Sequence, residues 1–182
     1  MPGPSLYVPD PPVAADALRV TVAALESSVP RFTDRPLFHV VLLNVSDEPL
    51  EVWAEDCSAG YGSVTLEVLA LDERPLDPPI EVRRLQTVWT HNCIRSVALG
   101  PGEVAVRAVR LYNYGPGDRE IPDWRLPDGE AYKGLPALDW NAHHIRLRAA
   151  FRSSPDFVRA ERLWLGSAVS EARDYTIWGS YP

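Results

Sequence analysis

Along most of the chain apolar and polar positions trade places at every residue, the period expected of strands with one buried and one solvated face. Leu18, Val20 and Val22 alternate with Arg19, Thr21 and Ala23. Residues 37–45 form an apolar run that admits His39 and predict a central strand buried on both faces. The run gives way to a turn built from Asn44, Ser46, Asp47 and Pro49, after which residues 50–54 resume the strand pattern. Residues 63–71 place Val64, Leu66, Val68 and Ala70 on one face. Residues 72–79 read as a turn, and residues 80–89 as the strand that follows. The stretch Leu99, Gly100, Pro101, Gly102, Glu103 is a tight connection between strands at 94–98 and 104–112. Ile145, Leu147, Ala149 and Phe151 alternate with Arg146, Arg148 and Ala150, and residues 162–165 and 175–178 predict closing strands. Ser154, Pro155 and Asp156 make the one helix start, with serine as cap and proline at the first helical position.

Eighteen prolines and eleven glycines cut the chain into short segments, which suits many strands and turns and leaves little room for long helices. About eight or nine strands separated by turn chemistry predict an all-β, antiparallel sandwich. At 182 residues one domain is expected, over residues 17–182, preceded by an extended arm over residues 1–16 that holds five prolines. Residues 113–142 break the alternation: they are rich in Pro, Gly, Asp and aromatic residues and read as one long irregular loop. Such connections are uncommon in compact domains and often carry function.

A formal charge of −7 disfavours a nucleic-acid partner, because phosphate binding needs a basic footprint. Lys133 is the only lysine, an arginine preference read as coding bias. No apolar run approaches the ~20 residues that span a bilayer, and residues 1–9 show no export signal, so the compartment stays open.

Two cysteines are present. If residues 63–71 and 80–89 pair around a turn centred near Pro75, the register puts Cys57 opposite Cys93, within disulfide reach. A bridge there would favour an oxidising compartment, and two unrelated thiols are the alternative.

The chain lacks a nucleophile elbow, a phosphate-binding loop, a paired-histidine zinc motif and a dinucleotide fingerprint, so no enzyme class is indicated and no cofactor is expected. His91 and Cys93 together with His143 and His144 supply the ligand types of a soft-metal site. Against that, adjacent His143 and His144 point to opposite faces of a strand, and Met1 is the only methionine. His39 reads as a core residue, and Glu55 and Asp56 read as solvated turn charges. The acids Asp118, Glu120, Asp123, Asp128, Glu130 and Asp139 match no calcium-loop spacing. The aromatic set Tyr112, Tyr114, Trp124, Tyr132 and Trp140 is the candidate binding surface: exposed, it suits a protein hot spot or a carbohydrate platform, and turned inward it pins the loop. Trp53, Trp89, Trp164 and Trp178 read as sheet packing. Asn44, Val45 and Ser46 form a glycosylation triplet in a turn that wants Asn and Ser anyway.

Phe38, Val40, Leu42, Asn44, Ser46, Pro49, Leu50 and Val52, followed by the Leu99–Glu103 turn, the strand at 145–149 and the segment Leu163, Trp164, Leu165, Gly166, Ser167, resemble in their order bacterial immunoglobulin-like accessory domains. The arrangement is similar, more distantly, to the intracellular proteinase inhibitor family, although the 113–142 insertion departs from that family's compact pattern. The resemblance implies an immunoglobulin-like β-sandwich. The function expected is a non-catalytic module that contacts a protein partner through the 113–142 loop or a sheet edge. Carbohydrate binding, proteinase inhibition and a metal-binding, copper-sandwich-like role are the alternatives.

Overall fold

The computed structural model describes residues 13–24, 28–30, 38–84, 94–111, 131–133, 141–153 and 163–178. Twelve strands and one α-helix occur among them: β1 (Leu18–Ala24), β2 (Ser28–Pro30), β3 (Phe38–Asn44), β4 (Leu50–Trp53), α1 (Ser58–Tyr61), β5 (Val64–Leu71), β6 (Arg74–Arg84), β7 (Ser96–Leu99), β8 (Val104–Leu111), β9 (Ala131–Lys133), β10 (Ala142–Ser153), β11 (Gly166–Val169) and β12 (Arg173–Trp178). The fold is all-β and mainly antiparallel. One sheet runs in the order β1-β3-β8-β9-β6-β5-β10-β12-β2, with β11 also on β10, and β4 pairs with β7 in a second, two-stranded sheet.

One apolar core draws on both ends of the long sheet. Leu18, Val20 and Val22 of β1 and Phe38, Val40 and Leu42 of β3 belong to the same cluster as Leu66 and Val68 of β5, Leu147 and Phe151 of β10 and Ile177 of β12. The Phe38 ring stands edge-on to Tyr175 at 5.0 Å, and Phe151 lies 5.6 Å from Trp164. Trp164 is fully buried and gives its indole N–H to the Ala15 carbonyl at 3.3 Å. Burying each such side chain stabilises the fold by roughly 1.5–3 kcal/mol, which is why the alternation of β1 (buried at Leu18, Val20, Val22) fixes which way the strand faces.

β3 continues into β4, and β7 into β8, as one two-stranded ribbon that turns a corner. Leu43 pairs with Val104 before the corner and Leu50 with Leu99 after it. Asn44 fastens the bend. Its amide donates to the Glu48 and Leu99 carbonyls, each at 2.9 Å, while its Oδ1 accepts from the Ser46 backbone N–H at 2.9 Å and the Ser46 hydroxyl at 2.7 Å. With the side chain fully buried and all its groups occupied, this asparagine is structural rather than a glycan acceptor.

β10 is bonded along both edges. β5 lies on one side, and β12 followed by β11 lies on the other. Between those two, Ser170 keeps the ladder unbroken by donating its N–H to the Ala149 carbonyl at 2.8 Å and accepting the Ala149 N–H on its hydroxyl at 2.9 Å.

Several expectations are corrected. Residues 37–45 are not buried on both faces, since β3 alternates fully buried with half-buried positions and its outward side chains, His39 included, reach solvent. The turn expected over 72–79 is only Asp72 and Glu73, both at positive φ, 47° and 65°. These angles suit the tight hairpin turn whose twist matches the flanking strands. The prolines behind it lie within β6, where a register shift opposite β5 between Val68 and Ala70 absorbs the extra residues. Leu163 makes an isolated bridge to Glu51 rather than a closing strand, and β11 begins at Gly166. The 113–142 stretch is interrupted by β9, which pairs with both β6 and β8. The helix start at 154–156 lies outside the described residues, and α1 was not expected.

The predicted disulfide is also corrected. Because the hairpin turns at Asp72 and Glu73 and β6 then takes up extra residues at the register shift between Val68 and Ala70, Thr65 faces Arg83, where the expected register needs Leu85. The chain also leaves the ladder before Val64 to form α1, so Cys57 caps a helix instead of extending β5. Among the described residues there is no disulfide. Cys57 is a buried free thiol whose Sγ lies 3.1 Å from the Ala54 carbonyl and 3.6 Å from that of Arg95, and Cys93 lies outside the described residues.

Candidate functional site

β8 is where sequence and structure part company most usefully. The polarity of its side chain alone would send Arg107 to water. The structure does the reverse: Arg107 is buried at 7% exposure, while Val104 and Val106 stand 51% and 52% exposed. The corner sets this phase, because Asn44 donates its backbone N–H to the Glu103 carbonyl at 3.0 Å and thereby pins Leu43 opposite Val104. Slipping β8 by one residue would turn Val104 and Val106 inward, but it would also expose Val109, which is fully buried, and break that corner.

The outward side holds a contiguous apolar patch. Leu43 lies opposite Val104 and Val41 opposite Val106, with Ala108 beside His39 and Ala23. Arg19 and Thr21 of β1 complete the face. None of these outward positions from the three strands is a carboxylate, although the chain carries 25 acidic residues. β1 ends the strand order. Ala17 accepts from Val45 across β3 at 2.9 Å, so in the antiparallel alternation the backbone groups of Leu18, Val20 and Val22 point to the outer edge. The Val22 carbonyl there is taken by the Tyr175 hydroxyl at 3.3 Å.

The inward side of the same strand builds a charged cluster. Glu55, on the turn after β4, bridges two arginines: Arg84 Nη1 at 3.0 Å from one carboxylate oxygen and Arg107 Nη1 at 3.3 Å from the other. The arginine side chains are 6% and 8% exposed, and that of Glu55 is 24% exposed. Each arginine has a second anchor, Arg107 through a 2.8 Å bond to the Trp53 carbonyl and Arg84 through its guanidinium stacked 4.0 Å from the Tyr61 ring centre. Both Nε–H groups are buried without a partner. Asp56, expected like Glu55 to be a solvated charge, is exposed and paired with Arg95, whose hydrogen bond holds the carboxyl below its ordinary pKa. Glu55 is no bystander.

Two further polar groups are structural in geometry. Asp72 accepts the His144 backbone N–H at 2.9 Å and lies 2.7 Å from His143 Nδ1, so the hydrogen bond with His143 lowers its pKa and the turn is tied to β10. Glu67 of β5 receives Arg148 at 2.7 Å and Arg152 at 2.8 Å; burial pushes its pKa up, the two arginine bonds together outweigh that, and the carboxyl ends below the usual glutamate value.

Of the aromatic surface read from sequence, Tyr112, Tyr114, Trp124 and Trp140 lie outside the described residues, as do the acids at 118, 120, 123, 128, 130 and 139. Tyr132 is in β9, its backbone opposite Arg84 and Leu111. Trp53 and Trp164 are buried, as sheet packing requires. His91 and Cys93 are likewise outside, and among the described residues no group of three or more His, Cys, Asp or Glu is placed to hold a metal. No described helix is long and apolar enough to cross a membrane. Sequence reasoning missed Arg84 and Arg107, although a signal was present: residues 104–109 are apolar in both phases except at 107, so periodicity alone could not choose the face. Comparison with protein-family models, with curated proteins and with solved structures gave no match.

Proposed function

We propose that this chain is a non-catalytic binding module of immunoglobulin-like sandwich architecture that docks a partner protein on the outward face of β1, β3 and β8. The observation that carries the reading is the reversed phase of β8, which spends two valines on solvent beside Val41 and Leu43. Neighbouring apolar side chains left in solvent are a cost a fold tolerates where a partner covers them. The sandwich reading is supported by the single core shared between the β1 and β3 strands and the β5, β10 and β12 strands. The partner that fits presents an apolar surface with a carboxylate to meet Arg19 and no dense negative charge, because the molecule as a whole is acidic.

The test is a comparison of the wild type with Val104→Thr/Val106→Thr, which keeps side-chain shape on an exposed face and removes its apolar character. Complexes recovered from the native cells by the wild type and lost by the double variant, at unchanged melting temperature, support the reading. Recovery of the same complexes at the same strength by both proteins rejects it.

A further inference from the structure

Among the described residues, Glu55, Arg84 and Arg107 leave one positive charge uncompensated in a largely buried place. Two guanidiniums, each more than nine-tenths buried, share one carboxylate. Buried charges are ordinarily matched one for one, and buried N–H groups are ordinarily bonded. Among the described residues both rules fail together: the charge count is short by one anion, and the Nε–H of each arginine has no acceptor. One added group would repair both, and only an oxyanion has the oxygen acceptors and the charge to do so. The two arginines are also held in advance. Trp53 fixes Arg107 and the Tyr61 ring supports Arg84, so neither depends on Glu55 alone for its position. Glu55, its side chain 24% exposed on a turn, is the least buried member of the three and marks the side of the cluster nearest to solvent.

We propose that Arg84 and Arg107 form a receptor for one small oxyanion, of the carboxylate or phosphate class, bound beside the Glu55 carboxylate on the guanidinium Nε edges. The site goes beyond the docking face, since it lies on the inward side of β8 and needs no partner protein.

Thermal unfolding of the whole chain is followed while sodium phosphate or sodium acetate replaces sodium chloride at constant ionic strength. The expected result is a saturable rise of several degrees with at least one oxyanion at millimolar concentration. The acetate and phosphate arms separate a carboxylate ligand from a phosphate one. Arg107→Gln leaves a balanced Arg84–Glu55 pair and abolishes the rise. Glu55→Gln, which raises the local charge by one, tightens phosphate binding about tenfold and gives a reading if the arginine variant fails to fold. Identical melting in chloride, acetate and phosphate for the wild type overturns the proposal. A phosphate response unchanged in both variants does so too. Either failure leaves the threonine test of the docking face untouched.

Discussion

Tyr175 of β12 gives its hydroxyl hydrogen to the carbonyl of Val22 in β1, 3.3 Å away, across the shared core. That bond and the edge-on contact with Phe38 let one side chain hold two strand groups that have no backbone ladder between them. Tyr175→Phe keeps the ring and orphans a buried carbonyl. The expected loss is about 1 kcal/mol, or roughly 2–4 °C in melting temperature for a chain of this size. An unchanged melting temperature would show that the hydroxyl carries none of this tie.

Gly60 in α1 is pressed against the end of β4. A Cβ there would lie 2.1 Å from the Ala54 carbonyl oxygen and 2.7 Å from its carbon, both backbone atoms with no rotamer to yield. Gly60→Ala, which would ordinarily favour a helix, is expected to cost roughly 3 kcal/mol or more. Chemical denaturation measures it, and a stabilised variant would contradict the close approach.

At the β5–β6 turn the expectation runs the other way. Glu73 sits at φ 65°, where a side chain is strained and glycine is not. Glu73→Gly should therefore stabilise by about 0.5–1 kcal/mol. Asp72 should resist the same exchange, because its carboxylate bonds both His143 and His144.

Glu67 makes stability depend on acid. Its pKa is lower in the folded chain than in the unfolded one, so its contribution is complete above the ordinary glutamate value of about 4.3 and fades as the pH falls below it. Glu67→Gln should cost roughly 1–3 kcal/mol at pH 7. The variant should also lose less stability than the wild type between pH 5 and pH 3 (rough bounds set by that carboxylate range). Parallel pH profiles of the two proteins would count against the Arg148–Glu67–Arg152 arrangement.

Cys57 is buried without a disulfide partner, so a thiol reagent should leave it unmodified in the native chain and label it on unfolding. Mass analysis under non-reducing conditions should show no internal bridge. A reductant-sensitive melting temperature would argue for one.

How much of this was legible in the sequence follows from which force decides each element. Burial decided β1, β5 and β10, and there the alternation of Leu18, Val20 and Val22, of Val64, Leu66 and Val68, and of Ile145, Leu147, Ala149 and Phe151 pointed to the right strands and the right faces. Backbone and polar bonding decided the rest. The Asp72 turn lacks the Asn or Gly that usually marks it and is held instead by a contact with β10, distant in sequence. The missed turn, together with the register shift in β6 and the departure of the chain into α1, moved the hairpin register away from the expected Cys57–Cys93 pairing. The phase of β8 is set by Asn44, whose bond to the Glu103 carbonyl no periodicity can reveal. The candidate face and the arginine pair both descend from that bond, so they were hidden together.

Because β10 is clasped along both sides, by β5 on one and by β12, Ser170 and β11 on the other, solvent reaches its amides only when a neighbour lets go. Deuterium should therefore enter this strand last of all. Its twelve residues form the spine from which the remainder of the molecule can breathe without coming apart.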